Sequence, residues 1–299
     1  MFRKLMAVAV VAVMAAIELS AGGAGTTSAA FLKIVPAARP AAMGGTYAGI
    51  GDDVNSIVSN PAGLALISNK EISVTQISWI ESITYQHVAI GLPLSFGVIG
   101  IGVNSLSVKG MERRIAATDD YIDTFGANDM AMGLSYAKKV GKKMSMGINL
   151  KSISSTIDGV SAGAMGIDIG GLYMVNDKMN IGLAVQNLGT KMKFVTEEFP
   201  LPQMIKLGLG YKVKDNFILG LDLNSPNSGK AGASLGGEYV VKFGKTMSLP
   251  IRVGYVTGID LASISYGLGF SMDSFGVDIT MAPYGDFGNT MRAGLKFAF

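Results

Sequence analysis

The sequence predicts an all-β fold, a transmembrane antiparallel β-barrel of about fourteen strands. Three observations predict it: dispersed hydrophobicity, a period-two alternation, and the parity of the loop lengths. Of 299 residues, 49% are hydrophobic and only 16% charged, and glycine occurs 40 times. That is too apolar for an ordinary soluble domain and too glycine-rich for a helical one. Helical spans would need runs of about 20 apolar residues, yet beyond residue 17 every apolar stretch is broken within a few positions by Ser, Asp, Lys, Asn or Gly. A closed barrel satisfies every backbone polar group in lipid while placing apolar side chains at alternate positions.

The alternation is clearest where Ile264, Tyr266, Leu268 and Phe270 share one face against Ser263, Ser265, Gly267, Gly269 and Ser271. Phe275, Val277, Ile279 and Met281 repeat it against Ser274, Gly276, Asp278 and Thr280. A period of two means strands. The same reading places strands at 71–79, 83–92, 96–108, 130–136, 144–150, 165–175, 179–185, 205–213, 217–223, 231–241, 247–255 and 290–299. Fourteen is an even count, as a bacterial barrel requires.

Loop lengths give an independent test, because such barrels alternate short periplasmic turns with longer external loops. With the first strand running outward, the external hairpins include 110–126, 189–202 and 283–289, each longer than the short turns at the other end. The face opposite the apolar one is mostly Gly and Ser. It also carries Lys151, Asp168, Lys206, Asp222, Lys230, Glu238, Arg252, Asp278, Arg292 and Lys296, which are expected to point into the lumen as a salt-bridged interior.

Both termini carry signals. Arg3 and Lys4 precede an unbroken apolar run from Leu5 to Ile17, and small residues follow, so residues 1–24 read as a secretory signal peptide with cleavage after Ala21, Ala24 or Ala30. Thirteen apolar residues fall short of a bilayer span. Export to the outer membrane of a Gram-negative-type bacterium is the expected destination. At the other end, Arg292, Gly294, Phe297 and Phe299 resemble the signal read by barrel assembly machinery: polar, any, Gly, any, any, aromatic, any, aromatic. An amphipathic final strand ending in a free aromatic can add to the open edge of an assembling sheet.

Residues 25–69 precede the barrel, assigned to 70–299, and do not alternate. They contain Phe31-Leu32-Lys33-Ile34, Ala38-Arg39, Met43-Gly44-Gly45, Asp52-Asp53 and Asn60-Pro61-Ala62-Gly63-Leu64. This arrangement closely resembles the amino-terminal region of the PorV/PorQ family, itself similar to the FadL-like long-chain fatty-acid porins. The resemblance implies a hatch inside the lumen, with Asp52, Asp53, Asn60, Pro61 and Ala62 as its motif residues. Pro61 fixes φ and pushes its predecessor away from helix, and a Gly/Ala-rich plug can sit against a Gly/Ser-lined wall.

Other chemistries find little support. A net charge of +3 is too small to imply a nucleic-acid partner, and the absence of Cys removes disulfides, thiolate metal sites and Cys nucleophiles. His87 is the single histidine and reads as a wall residue, so neither a Ser-His-Asp site nor a His-based metal cluster is expected. Asp52 and Asp53 read as hatch-to-wall salt bridges or turn caps, and Gly97, Gly100, Gly102, Gly208 and Gly210 as strand glycines facing the hatch. Eighteen Met residues read as filler against lipid or hatch. No cofactor is expected. The expected partners are outer-membrane lipid, the barrel assembly machinery, and either secretion-system proteins or hydrophobic ligands. The family likeness favours a non-enzymatic role in type IX-like protein secretion or surface attachment; the alternative is FadL-like passive transport of hydrophobic small molecules.

Overall fold

The structure is a computed structural model that describes residues 22–23, 25–117, 119–258 and 263–299. The export signal expected over residues 1–24 lies outside the described residues except for Gly22 and Gly23. No helix among the described residues is long and apolar enough to cross a membrane.

Sixteen strands form among the described residues. The first seven are β1 (Glu71–Ser78), β2 (Thr84–Leu94), β3 (Gly97–Arg113), β4 (Asp123–Val140), β5 (Met144–Ile157), β6 (Val160–Asn176) and β7 (Met179–Gly189). A small hairpin, β8 (Met192–Phe194) and β9 (Glu197–Phe199), stands apart. The rest are β10 (Met204–Lys214), β11 (Phe217–Pro226), β12 (Gly232–Phe243), β13 (Met247–Val256), β14 (Ile264–Met272), β15 (Phe275–Pro283) and β16 (Asn289–Ala298). All but β8 and β9 pair with their neighbours into one closed fourteen-stranded barrel, and β1 seals it by pairing antiparallel with β16. Closure leaves no open edge, which a lipid environment would penalise.

The alternation resolves into two faces. Val74, Ile101, Leu134, Ile148, Leu209 and Leu268 are among the many exposed apolar side chains on the outer wall, and Met130, Met132, Met146 and Met165 join them. Connections at one end, such as 95–96, 177–178 and 273–274, are two or three residues long. Those at the other end are longer, apart from the tight turn at 158–159.

The N-terminal segment occupies the inside of this ring. It opens with a 3-10 turn at Ala30–Lys33 and the short helix Ala38–Ala42, followed by 3-10 turns at Val54–Val58 and Pro61–Leu66. Ala38 approaches β16 and β15, Ala42 β14, Met43 and Gly44 β13 and β12, Thr46 β11, and Ala48 and Gly49 β10 and β7. The chain thus circles the wall in strand order. Val54 then meets β1 and β2, Ile57 β3, Asn60 β6, Pro61 β5, and Leu64 packs with Ala137 of β4. Such close approach needs bare backbone on the wall. A Cβ on Gly182 would lie 1.8 Å from the Ala48 carbonyl oxygen, and one on Gly254 1.9 Å from the Gly44 nitrogen.

Three details differ from the sequence reading. β3 to β6 run well past the predicted ends, because beyond the outer apolar band the pattern inverts. Ser78, Thr84, Ser107, Asn128, Thr156 and Ser161 form one laterally paired, outward-facing polar row across β1 to β6. Behind it Ile77, Tyr85, Leu106, Ile153 and Ala164 turn inward and pack with Phe31, Met192 and Leu201. Of the charged loop expected at 110–126, residues 110–113 and 123–126 are accordingly strand, with a bulge between Val108 and Met111, and the loop proper is 114–122. Lys230 does not reach the lumen: it is exposed in the connection between β11 and β12. Gly97 faces the Tyr136 ring and the Ala137 carbonyl rather than the segment.

Gly182→Ala is expected to loosen the N-terminal segment, at a cost of about 1–3 kcal/mol for overpacking. Gly171→Ala, where a Cβ meets nothing within 4 Å, is expected to be close to neutral. Limited proteolysis of the segment in the two folded variants distinguishes them; equal protection would show that the wall contact is not tight.

Candidate functional site

The interface between the segment and the wall concentrates the buried charge of the molecule, and Arg39 stands at its centre. The residue lies on the short helix Ala38–Ala42, which Thr280 fixes by donating its hydroxyl to the Ala38 carbonyl at 2.8 Å. Arg39 Nε and Nη2 each donate to the Glu238 carboxylate of β12 at 2.9 Å, a bidentate pair. Its Nη1 reaches Asp52 Oδ1 at 2.5 Å, Asp53 Oδ2 at 3.2 Å and the Tyr47 hydroxyl at 2.9 Å. Arg252 of β13 meets the same Glu238 at 2.6 Å and continues to Asp278 of β15 at 2.5 Å. Lys296 of β16 lies 3.5 Å from both Asp53 and Glu71.

Every motif residue expected from the sequence has a place here. Asp52 is half-exposed and pairs with Arg39, within the segment itself. Asp53 is buried; it caps the turn Val54–Val58 by accepting from the Asn55 backbone N–H at 2.9 Å and also pairs with Arg39 and Lys296. Burial alone would raise the Asp53 carboxyl, but Lys296 and Arg39 outweigh it and hold the group well below the usual carboxylate range. Arg39 is opposed by burial and raised by Asp52 and Glu238, with a net shift upward. Asn60 caps the turn Pro61–Leu66 through the Ala62 N–H, and its amide donates to the carbonyls of Ala48 at 2.8 Å and Gly171 at 3.1 Å. Pro61 at the first position of that turn lies against Gly147 and Gly170. Asp222 of β11 holds the middle of the segment by accepting from the backbone N–H groups of Tyr47 and Ala48, both at 2.9 Å.

A second buried polar cluster lies under the segment. Lys151 Nζ and Asp168 are 2.6 Å apart, and Asp168 also accepts from Asn149 and from the Asn187 backbone. Asn187 adopts a left-handed φ of 59° where the β6–β7 ladder shifts register, and Gln186 beside it donates to the Val58 carbonyl at 3.0 Å. With Ile57, Val58 and Tyr85 these groups line a cavity of about 40 Å³. His87 is fully buried in the wall and pairs through Nδ1 with Asn104 at 2.7 Å. Among the described residues no group of His, Cys, Asp and Glu could hold a metal ion.

The proposed assembly residues alternate faces on β16. Arg292 points inward, donating to the Val35 carbonyl at 3.0 Å and standing over the Trp79 ring, while Gly294 gives room to Ala38. Phe297 and Phe299 are exposed on the outside.

Solved structures similar to this fold include channels for monoaromatic hydrocarbons and a toluene transporter. The CymD monoaromatic hydrocarbon channel matches with a TM-score of 0.64 at 13% identity, over 88% of this chain and 96% of its own. The Pseudomonas putida toluene transporter TodX gives 0.63 at 12%, over 87% and 96%, and a Pseudomonas aeruginosa FadL homologue 0.55 at 10%, over 88% and 97%. At these identities the likeness concerns the fold. No curated protein sequence matches the chain. The family model for the type IX secretion system protein PorV matches residues 21–224, and the chain belongs to that family.

Arg39→Ala leaves Glu238 and Asp53 short of a buried partner and is expected to destabilise the docked segment by about 3–5 kcal/mol; protease release of the segment from a barrel that still shifts on heating measures it. The Asp53 shift gives a pH dependence with a definite sign. A carboxyl whose folded value is depressed contributes stability above its unfolded value, and that stability is lost as pH falls through the folded one. Docking should therefore survive mild acid and weaken only in strong acid, and Asp53→Asn should remove that component of the acid response in the same protease assay.

Proposed function

We propose that this chain is a non-enzymatic outer-membrane component of protein secretion that holds or releases exported proteins at its outer end. The family match carries the reading. The packed lumen supports it: the segment meets every strand of the barrel, and the cavity beneath it has room for no more than a few waters. A protein cargo would therefore engage the rim rather than thread the barrel. The tip of the β3–β4 hairpin offers a surface, with exposed Ile115, Tyr121 and Ile122 beside Glu112, Arg113, Arg114, Asp119 and Asp120. Arg113 braces that hairpin through Asp123 at 2.8 Å and Asp158 at 2.5 Å. Apolar anchors within a charged rim are the usual anatomy of a protein interface. The outward aromatics of β16 would serve the assembly machinery.

A second reading, passive transport of hydrophobic small molecules, draws on the likeness to hydrocarbon channels. In it the segment is a hatch that must move, since an apolar cavity of roughly 150 Å³ is the scale that accepts benzene.

Neutralising the hairpin with Glu112→Gln, Arg113→Gln, Arg114→Gln, Asp119→Asn and Asp120→Asn is expected to lower surface display of exported proteins several-fold and to leave uptake of hydrophobic compounds unchanged. Normal display in a clean deletion strain, together with lost growth on a hydrophobic substrate, would reverse the choice.

A further inference from the structure

The short-turn end of the barrel is strongly basic. Lys138, Lys139, Lys142 and Lys143 flank the β4–β5 turn. Lys178 follows at the β6–β7 turn, Lys212 and Lys214 at β10–β11, and Lys242 and Lys245 at β12–β13, while Lys70 precedes β1. In the turns Asp177, Asp215 and Asp273 oppose these ten lysines, a net of seven positive charges in a chain whose total is +3, and Glu71 beside Lys70 is paired inward with Lys296. None of the ten is in an ion pair among the described residues; Lys143 donates to the Val175 carbonyl at 3.3 Å, and Lys70 stands over the Phe299 ring. The opposite end is only mildly acidic, because Lys109, Arg113, Arg114, Lys191, Lys193 and Lys230 offset most of its carboxylates.

Aromatic side chains sit immediately inside the lysines. Phe96 stacks with Tyr136, Phe217 meets Tyr239 edge-on, and Phe297 lies beside Phe299. Outward aromatics of this kind mark the boundary between hydrocarbon and head groups. Lys138, on the outward face of β4 with Met132 and Leu134, and the turn lysines Lys142, Lys143, Lys178 and Lys245 therefore emerge at head-group level, where their stems can lie along the apolar wall and their ammonium groups meet phosphate, while Lys139, Lys212 and Lys242 stand on the lumen side of the same rim. An acidic protein would need no girdle beneath its docking site, and the ring follows the barrel from β4 to β13 rather than forming one patch.

We propose that this rim binds the anionic phosphate head groups of inner-leaflet phospholipids. The proposal rests on the barrel being membrane-embedded. Each lysine near a charged lipid surface changes partition by roughly fivefold, and salt screens the effect.

The test reconstitutes the full chain in vesicles of equal phosphatidylglycerol and phosphatidylcholine and counts the lipids retained on release by native mass spectrometry. The wild type is expected to retain the anionic lipid in excess, less so at high salt. The combined variant Lys138→Gln, Lys139→Gln, Lys142→Gln, Lys143→Gln should lower that preference by about tenfold or more while still shifting on heating. Lys191→Gln with Lys193→Gln, in the long connection between β7 and β10, should leave it unchanged. Equal retention of both lipids by the wild type would overturn the proposal and assign the ring to an acidic periplasmic protein. A preference untouched by the four substitutions would overturn it as well. Failure to insert into any vesicle would instead overturn the membrane reading.

Discussion

The backbone of Met43 to Gly49 lies directly on the bare backbones of wall glycines, and the rest of the interior depends on that approach. Side chains at Gly182, Gly208, Gly210, Gly236 or Gly254 would meet main-chain atoms of the segment at well under van der Waals distance. A segment held this close cannot be solvated by bulk water, so each of its polar groups needs a protein partner. Asp222, Ser265, Thr280 and Arg292 supply them from the wall, and Asn60 and Gln186 close the far side. The charge network around Arg39 follows from the same need. Paired buried charges add little net stability but penalise any arrangement that separates them, which selects one position of the segment over others.

The wall was legible in the sequence because lipid imposes a simple rule. Ile264 to Phe270 and Phe275 to Met281 alternate without exception, and a strand in that setting has no other way to satisfy both its backbone and its solvent. Legibility ended where lipid ended. Ser105, Ser107, Ser152 and Ser154 face outward on β3 and β5 while Leu106 and Ile153 face in, so the alternation continues with its sign reversed and no longer reads as a membrane strand. Extending the alternation back to Lys230 carries it into what is a turn, so its place outside the lumen is not legible from the pattern.

The interior was legible by residue type more than by pairing. Asp52, Asp53, Asn60 and Pro61 could be singled out as unusual in a Gly/Ala-rich stretch, but nothing local indicates that Asp53 meets Lys296 or that Arg39 meets Glu238, nearly two hundred positions away. The buried group of Asn149, Lys151, Asp168 and Asn187 was half visible, through its two charged members on the lumen face. Its assembly depends on the left-handed turn of Asn187, for which an asparagine late in a strand is the one local clue.

The long strands stand on one side only. β3 to β6 have 14 to 18 residues, against 8 to 12 for the other barrel strands, where about ten span a bilayer. The mouth is therefore cut obliquely, like a quill, with a raised lip over a minority of its circumference. A tube with a level rim presents the same profile to every neighbour in the membrane plane. This one has a front and a back, so a body sliding beside it meets a hydroxyl-faced wall from one bearing and only lipid-facing surface from the other. Rotation about the membrane normal thus becomes a variable with consequences, and any complex built around this barrel inherits a compass direction from the chain itself.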